Sequence, residues 1–299
     1  MQKGETMTSS AAAPTSLVIR RATAADIDAC AKICYQAFTT INAQHNFPPD
    51  FPSADVARHV VSWMFLHPGF FCVVAEQNGR VVGSNCLDER DAIAGIGPIT
   101  IDPSAQDAGA GRGLMTAVME RAIERNFAGV RLVQAAFHSR SMSLYAKLGF
   151  DIREPLVVMQ GAAISQIPAG YSVRPAKSSD LDACAALCLG VHGHHRTGEL
   201  SDAIDDGSAV VAEHNGRVTA YASIVGFFGH AVAHNNDGLR ALIGAASAFA
   251  GPGFLLPTRN TELFRWCLHH GLRVVEPMTL MSLGLYNEPA GAFLPSISF

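Results

Sequence analysis

An internal repeat constrains the fold of this chain more than any other feature of its sequence. Three segments return in the same order: residues 19–34 as 173–188, residues 75–81 as 212–218, and residues 149–155 as 271–277. Three ordered matches are typical of a duplicated structural unit, because chance produces single short similarities. The 299 residues also leave room for two domains of roughly 130 to 150 residues each. The sequence therefore predicts two tandem copies of one fold.

Both copies share the same predicted order of strands and helices. Thr23 stands three residues before Asp26 at the start of an apolar helical stripe, which predicts a capped helix. Asn78-Gly79 and Asn215-Gly216 each separate two alternating apolar segments and predict type I′ hairpins. The first copy continues with a strand at residues 97–101, a helix at 111–125, a strand at 130–137, a helix at 141–148 and a strand at 152–159. This alternation predicts an α/β protein.

Composition at the ends of the copies predicts the domain boundaries. Residues 1–16 contain a Ser/Ala/Thr run without the apolar segment of a secretory signal, so we expect a mobile tail. Residues 161–170 lack charge and contain a proline and two glycines, which indicates a linker. The predicted domains are therefore residues 17–160 and 171–299. Residues 241–257 are interrupted by glycine and proline, and no membrane segment is expected.

Charge and cysteine content restrict the partners and the compartment. A net charge of -4 without a long basic run argues against nucleic acid and anionic membranes, and favours a small-molecule ligand. The seven cysteines lie in apolar segments and are odd in number, which favours reduced thiols in the cytoplasm over a disulfide framework. Cys30 and Cys34 stand at helical spacing, as core residues do, although a metal or redox pair is the alternative.

A glycine-rich loop between the strand at 97–101 and the following helix is the strongest chemical signal. It consists of Gln106, Asp107, Ala108, Gly109, Ala110, Gly111, Arg112 and Gly113. Glycines permit a tight turn with N–H groups on one side, and the helix N-terminus and Arg112 add positive charge. Such a loop suits a phosphate or pyrophosphate, although glycine patterns also occur in plain connections. It lacks the Gly-Lys-Ser/Thr ending of a nucleotide triphosphate loop.

The order of strand, Q-x-x-G-x-G loop, helix, strand and S-L-Y-A-K-L-G-F (residues 143–150) resembles the GNAT superfamily of acyl-CoA N-acyltransferases. The resemblance spans about residues 16–161 and extends weakly, without the loop, over residues 171–299. It implies an α/β (α+β) fold class, with two tandem GNAT-like domains, each a mixed, mostly antiparallel twisted sheet flanked by helices. It also implies acetyl-CoA as co-substrate and no metal.

The same resemblance assigns roles to individual residues. In the family, pantetheine lies along the strand that Ile99, Thr100 and Ile101 match, and a backbone N–H of that strand polarises the thioester carbonyl. Tyr145 matches the tyrosine that protonates the departing thiolate, and a core aromatic is its alternative. His138 stands where the family often has an asparagine that hydrogen-bonds the coenzyme.

No general base follows from the family pattern. The family often draws a carboxylate from near the strand before the loop, but residues 95–101 contain none. The nearest acids are Asp88, Glu89 and Asp91, of which Asp88 and Glu89 are the candidates for the substrate site. A solvated turn is the alternative for these acids, and a water chain or deprotonation of the substrate itself stays open as the source of the base.

The second copy has lost the features expected for coenzyme binding. Residues 234–239 (HNNDGL) align with residues 106–111, without the two glycines and with Asp237, whose charge would repel a phosphate. Cys267 stands at the position of Tyr145, and Asn260 at that of His138. We therefore expect this copy to serve as structure or as part of the acceptor site.

Histidines follow the first helix of the second copy, in the segment His192-Gly193-His194-His195-Arg196. A satisfied structural cluster, acceptor recognition by His194 and Arg196, and a metal site are the three interpretations. Their spacing does not place ligands on one helical face, so no metal ligands are assigned. The apolar ending at residues 286–299 predicts burial against a domain surface.

Together these features predict an N-acetyltransferase that moves an acetyl group from acetyl-CoA to an amine of an unidentified small molecule by direct transfer. The alternative is a catalytically weak acyl-CoA-binding sensor or regulatory protein. Neither nucleic acid nor membrane is an expected partner, and both a monomer and a homodimer are compatible with the sequence.

Overall fold

The computed structural model describes residues 17–106 and 109–298, so the predicted tail and the loop residues Asp107 and Ala108 lie outside the described residues. The first copy consists of β1 (Leu17–Arg21), α1 (Ile27–Gln44), α2 (Ala54–Leu66), β2 (Phe70–Gln77), β3 (Arg80–Asp88), β4 (Ile93–Ile96), β5 (Thr100–Ile101), α3 (Ala110–Glu124), β6 (Gly129–Ala135), α4 (Ser139–Lys147) and β7 (Asp151–Gln160). The second consists of β8 (Tyr171–Pro175), α5 (Leu181–His192), α6 (Thr197–Asp205), β9 (Val210–His214), β10 (Arg217–Ala222), β11 (Ala231–Ala233), α7 (Asn236–Ala245), β12 (Phe254–Pro257), α8 (Thr261–His269), β13 (Arg273–Gly284) and β14 (Ala292–Leu294).

The two copies repeat individual contacts as well as element order. Arg20 on β1 donates to Asp26 at 2.8 Å, and Arg174 on β8 donates to Asp180 at 2.7 Å. In both copies this aspartate also accepts a backbone N–H from the residue three positions before it, in the geometry of a capping box. The repeated ion pair fixes the entry of the chain into α1 and α5, and it supports the duplication.

Both predicted hairpins are confirmed. Asn78 and Gly79 have φ values of 53° and 76°, and Asn215 and Gly216 have φ values of 52° and 71°. Positive φ at both central residues defines a type I′ turn, which asparagine and glycine tolerate better than other residues. In the first hairpin, the pairing of β2 with β3 begins at Gln77 opposite Arg80. In the second, the pairing of β9 with β10 begins at His214 opposite Arg217.

The two copies exchange a strand in the larger sheet. Its order is β1-β2-β3-β4-β6-β13-β7-β12, with β5 paired to β3. The long strand β13 of the second copy lies between β6 and β7 of the first, antiparallel to both. In turn β7 pairs with β13 and β12, both from the second copy. Each copy therefore completes its central sheet with a strand of the other.

The exchange follows an approximate twofold symmetry. Ala136 donates its backbone N–H to Pro277 O at 3.0 Å, and Thr258, its counterpart in the repeat, donates to Pro155 O at 3.0 Å. The rest of the second copy forms a smaller sheet, β14-β11-β10-β9-β8. Among the described strands all pairs are antiparallel except β4 with β6. The predicted fold class, mostly antiparallel sheets flanked by helices in two tandem copies, is confirmed.

The end of the chain is buried, as predicted. Strand β14 pairs with β11, and Leu294 and Ser296 are buried. Ile297 donates its backbone N–H to Phe227 O at 2.9 Å. These contacts hold the C-terminal segment on the second copy, and Ile297 also packs against a core cluster that contains Ile93 and Leu156 of the first copy.

The prediction of reduced thiols is wrong for two of the seven cysteines. Cys72 on β2 and Cys86 on β3 stand opposite each other in the hairpin and form a disulfide. The other five, including Cys30 and Cys34, are free and buried. Burial raises the pKa of the Cys30 thiol to about 12, as expected for an inert core residue.

Candidate active site

A cleft opens in the first copy where β4 and β6 separate. The two strands pair in parallel only over Ile93–Gly95 and Gly129–Arg131. Beyond this pairing lies a cavity of about 710 Å³, which we call the cleft. Gly97 and Pro98 interrupt the strand predicted at residues 97–101, because Gly97 has a positive φ and Pro98 lacks an N–H group. Only Thr100–Ile101 resumes a strand, and it pairs with β3.

Polar and backbone groups line both walls of this cleft. Ile99, Thr100 and Ile101 form one wall, as the sequence predicted. Gln134 on β6 lies on the opposite wall and is buried, yet neither its amide oxygen nor its amide nitrogen has a hydrogen-bond partner in the described structure. A buried unpaired amide is costly to a fold, so its presence here points to a ligand that carries amide groups.

The glycine-rich loop closes one end of the cleft. Gln106, Gly109, Ala110, Gly111 and Arg112 all line it. Gly109 caps α3 with a φ of 82°, and no atom lies within 4 Å of the place a Cβ would take. A Cβ on Gly111 would make ordinary contact with Leu144. The backbone here therefore offers an open cradle at a helix N-terminus.

Gly113 has a different role from the other loop glycines. A Cβ at this position would lie 3.1 Å from Ile19 on β1. Its N–H donates to Gly109 O at 3.0 Å, inside the first turn of α3. Gly113 therefore brings the helix close to the sheet, and the loop proper ends at Arg112.

A second arginine stands beside the loop. Arg140 on α4 donates to the Gln106 side-chain oxygen at 3.0 Å, and both residues line the cleft together with Arg112. This contact holds the first residue of the loop against α4. Two arginines and a helix N-terminus make this end of the cleft electropositive, as a diphosphate requires.

Tyr145 faces the same cleft from α4. Its side chain is 5% exposed and packs edge-on against Phe150. Burial raises the pKa of the phenol to about 12, although a hydrogen bond with Ser141 opposes this. The Ser141 hydroxyl lies 2.7 Å from His138 Nδ1, and burial lowers the pKa of that imidazole. The sequence-predicted Tyr145 and His138 are thus joined through a serine that the sequence analysis did not single out.

The acids beside β4 lie outside the cleft lining. Asp88 binds Arg90 at 2.6 Å, and Glu89 binds Arg121 at 2.6 Å. Asp91 accepts backbone N–H groups at the start of α6, from Gly198 at 2.9 Å. The structure therefore gives Asp88 and Glu89 ion-pair partners and does not bring them together with Tyr145.

His194 and Arg196 are buried between the copies and also lie outside the cleft lining. Arg196 forms an ion pair with Glu199, which also contacts His230 at 3.0 Å. Burial alone would raise the pKa of Glu199, but the charges of Arg196, His230 and Arg90 together outweigh burial and lower it. Burial lowers the pKa of His194 to about 4, so its imidazole is neutral. The geometry favours the structural interpretation of this cluster.

We expect Arg196→Ala to lower the free energy of unfolding by about 3 to 5 kcal/mol, because the Glu199 carboxylate would stay buried without its counter-charge. Urea unfolding measures this loss. Arg58→Ala, which removes the exposed Arg58–Asp28 pair, is the control and should cost less than about 1 kcal/mol. An unchanged stability of Arg196→Ala together with a raised acceptor KM would instead support the recognition role.

Sequence reasoning missed a carboxyl pair at the other end of the cleft, in which Asp50 is half-buried and Glu276 is buried. Asp50, between α1 and α2, lines the cleft, and Glu276 lies behind it on β13 with 1% exposure. The two side chains share a hydrogen bond. Burial raises the pKa of Asp50 to about 6. Burial and the charge of Asp50 raise the pKa of Glu276 to about 8.

The second copy also contributes the apolar wall near this pair. Phe227, Phe228, Ile297 and Ser298 line the cleft opposite α1 of the first copy. The rings of Phe51 and Phe228 lie 6.5 Å apart, one from each copy. The second copy thus covers this end of the cleft with aromatic and aliphatic groups.

The corresponding cavity of the second copy, of about 470 Å³, is lined by polar side chains that pair with one another. Asn236 and Asn260 exchange two side-chain hydrogen bonds, of 3.0 and 2.8 Å. Asn235 caps α7 with its side chain, and Asp237 in the first turn binds Arg240. Cys267 is fully buried. These contacts occupy the groups that line a phosphate cradle in the first copy.

The described residues show neither a membrane helix nor a metal cluster. Over residues 17–106 and 109–298, every helix is too short or too polar to cross a bilayer. In the same ranges, no three His, Cys, Asp or Glu side chains are grouped as ligands of a metal ion would be.

Known proteins with a related sequence or fold point to one family. The family model described as "Acetyltransferase (GNAT) family" matches residues 37–150. The fold is similar to that of a putative acetyltransferase from Pyrococcus horikoshii, with a TM-score of 0.71, 18% identity, and 92% of this chain and 94% of that one covered. No curated protein sequence matches this chain.

Two further solved structures match nearly the whole chain. A GCN5-related N-acetyltransferase from Sphaerobacter thermophilus has a TM-score of 0.60 and 16% identity, with 94% of this chain and 98% of that one covered. A tandem GNAT protein from the clavulanic acid biosynthesis pathway has a TM-score of 0.55 and 14% identity, with 90% and 98% covered. At these identities the similarity shows a shared fold.

Proposed function

We propose that this chain is a GNAT acetyltransferase whose first copy keeps the coenzyme loop and whose second copy is degenerate, and that it transfers an acetyl group from acetyl-CoA to an amine of a small molecule. The observation that carries the proposal is that the loop at the start of α3 and Tyr145 line one cleft. The second copy in this proposal has no coenzyme site of its own.

The residues of the cleft fit acetyl-CoA as co-substrate. Gly109, Gly111 and Arg112 would hold the pyrophosphate at the N-terminus of α3, with Arg140 beside them. The unpartnered amide of Gln134 would hydrogen-bond the amide groups of pantetheine. Ile99, Thr100 and Ile101 would line its other side.

In this proposal Tyr145 gives its proton to the sulfur that leaves. The phenol stays protonated at neutral pH because burial raises its pKa to about 12. Ser141 orients the hydroxyl, and His138 in turn orients Ser141. The amine attacks the thioester carbonyl directly, so no covalent intermediate with the protein is formed.

Steady-state release of free CoA thiol over a panel of amines tests the proposal. The panel includes acetyl-CoA and longer acyl-CoAs as donors. Release with at least one amine, matched by an acetylated product in mass spectrometry, supports the transferase. Binding of acetyl-CoA without release for any amine would contradict it and favour an acyl-CoA sensor.

A further inference from the structure

The carboxyl pair of Asp50 and Glu276 lies where an acceptor would enter, and each copy supplies one member. Asp50 is held from α1 by Asn42, whose Nδ2 donates to Asp50 Oδ1 at 3.3 Å. Glu276 lies in a bulge of β13, where the register with β7 shifts between Val274 and Pro277. A bulge re-aims a side chain, and here it turns a carboxyl group inward from a strand of the exchanged sheet.

The repeat provides an internal comparison for Glu276. Its counterpart in the first copy is Glu154, which is equally buried at 2% exposure. Arg259 donates to Glu154 Oε1 at 3.0 Å, so that carboxylate is neutralised. The residue at the position of Arg259 in the first copy is Phe137, which stacks on Phe47 with 4.4 Å between ring centroids. The pair at the cleft therefore lacks the arginine that its counterpart has.

Among the described residues, no cation contributes to the pKa shift of Asp50 or Glu276. Cys34 on α1 is a further titratable neighbour, and burial followed by the charge of Asp50 raises the pKa of its thiol. On the β13 side Asp50 faces Glu276, and on the α1 side it faces the neutral amide of Asn42. The arginines that line the cleft, Arg112 and Arg140, stand beside the glycine-rich loop. A carboxylate that stays buried without a cation in the protein can obtain one from a ligand.

We propose that Asp50 binds the ammonium group of the acceptor and takes its proton, and that Glu276 is a positioning residue that holds Asp50 through a hydrogen bond. This inference rests on the proposed acetyl transfer. Asp50 lines the cleft, whereas Glu276 is buried behind Asp50 and would act on the acceptor only through it.

The proton and electron balance of this step is complete. Asp50 accepts one proton from R–NH₃⁺, and the freed lone pair of nitrogen forms the C–N bond with the thioester carbon. The C–S bond breaks, and the sulfur takes the proton of Tyr145. The second proton that nitrogen loses restores the Tyr145 hydroxyl, and the proton on Asp50 passes to solvent when the amide leaves.

The same geometry indicates the class of acceptor. Phe38, Phe51, Phe227 and Phe228 line the cleft around Asp50, so the group attached to nitrogen is apolar. A carboxylate beside the amine would meet the negative pair and lose affinity. We therefore expect 2-phenylethylamine, as a probe of this class, to exceed phenylalanine in kcat/KM by at least about 100-fold.

Asp50→Asn on the full chain tests the base. At pH 7.5 its kcat/KM with 2-phenylethylamine should fall by about 10²-fold, since general-base catalysis is typically worth about 10² to 10⁴. The wild-type profile should rise with the ionisation of Asp50 near pH 6 and then level off. The variant should instead recover about tenfold per pH unit up to pH 9, because solvent then deprotonates the amine.

Glu276 variants and a matched control separate positioning from folding. Glu276→Gln keeps a hydrogen-bond donor to Asp50 and should keep the wild-type pH profile of kcat/KM. Glu276→Leu removes that donor, so the rise of kcat/KM with Asp50 ionisation should shift to higher pH by about one unit. Glu154→Gln, the symmetric control, should leave the profile unchanged. An Asp50→Asn profile that matches the wild type in rate and shape would overturn the inference, and so would equal effects of Glu276→Gln and Glu276→Leu.

Thermal unfolding supplies a readout that does not depend on catalysis. The folded pKa of Glu276, about 8, lies above the ordinary 4.5, so its contribution to stability is lost as pH rises through that window. Between pH 5 and pH 8 the Tm of the wild type should therefore fall more than that of Glu276→Gln. An equal fall of Tm in the wild type and in Glu276→Gln would contradict the raised pKa of Glu276 and hence the carboxyl pair. If no amine is acetylated, the proposed function and this inference are both contradicted.

Discussion

Gly109→Asp is expected to abolish acetyl-CoA binding, the largest effect of any single substitution in the cleft. Gly109 has a φ of 82° and open space where a Cβ would stand, so this position is free for the pyrophosphate. An aspartate would place a side chain and a negative charge in that space, and it would also be strained at positive φ. Titration calorimetry should give one site per wild-type chain and no measurable binding for the variant.

Asp237→Gly in the second copy is the matched control for Gly109→Asp. It removes the acid at the aligned position but leaves the Asn236–Asn260 contacts in place. The stoichiometry should therefore stay at one acetyl-CoA per chain. Two equivalent sites per wild-type chain, or unchanged affinity in Gly109→Asp, would contradict the assignment of the coenzyme site.

Tyr145→Phe is expected to lower kcat by about 10² to 10⁴ and to change acetyl-CoA affinity little. In the proposed mechanism the hydroxyl acts on the departing sulfur, so its contribution would arise in the transition state and not in the ground state. The phenyl ring keeps the edge contact with Phe150, and the fold should be preserved. Single-turnover rates with a true acceptor, together with calorimetry, measure the two effects separately.

Tyr171→Phe provides the control, because Tyr171 lies on β8 of the smaller sheet beside His214, away from the cleft. It should match the wild type in both measurements. A Tyr145→Phe rate within twofold of the wild type would remove this tyrosine from the mechanism and return it to the core aromatic that the sequence also allowed.

Local chemistry in the sequence predicted the elements of the fold but not the exchange between copies. The two hairpins were predicted from the Asn-Gly dipeptides, and the start of the first helix was predicted from Thr23 and Asp26. Each of these signals involves residues that are close together in sequence. The exchange depends on which of two similar strands, residues 151–160 or 273–284, pairs with β6. Their sequences begin alike, so hydrophobic pattern alone cannot choose between pairing within a copy and pairing across copies.

The disulfide depends on one extra residue in the hairpin, which the number of cysteines and their apolar surroundings could not reveal. The hairpin register shifts between Ala75 and Glu76, where β3 has an additional residue. Without this bulge, Cys72 would stand opposite Asn85. With it, Cys72 stands opposite Cys86, and the two sulfurs meet.

The glycine-rich end of the cleft was predicted from the sequence because its residues are consecutive there, and its role in coenzyme binding stays a prediction. The acceptor end was not, because Asp50 and Glu276 lie in different copies and are brought together by the exchange. A signal was nonetheless present. Glu154 and Glu276 are both acids followed by proline and a mostly apolar strand segment, and a buried charge there is unusual unless it is paired or functional.

The exchanged strand also affects the synthesis of the chain. The first copy is translated through Gln160, but the strand that lies between β6 and β7 in the folded protein is complete only when Gly284 has been added. At about 5 to 20 residues per second this interval is on the order of 10 s, during which two strand edges lack partners. The nascent protein would therefore depend on chaperones or on a slow ribosome-bound stage, and a gene split between the copies would yield two fragments that must find each other to fold.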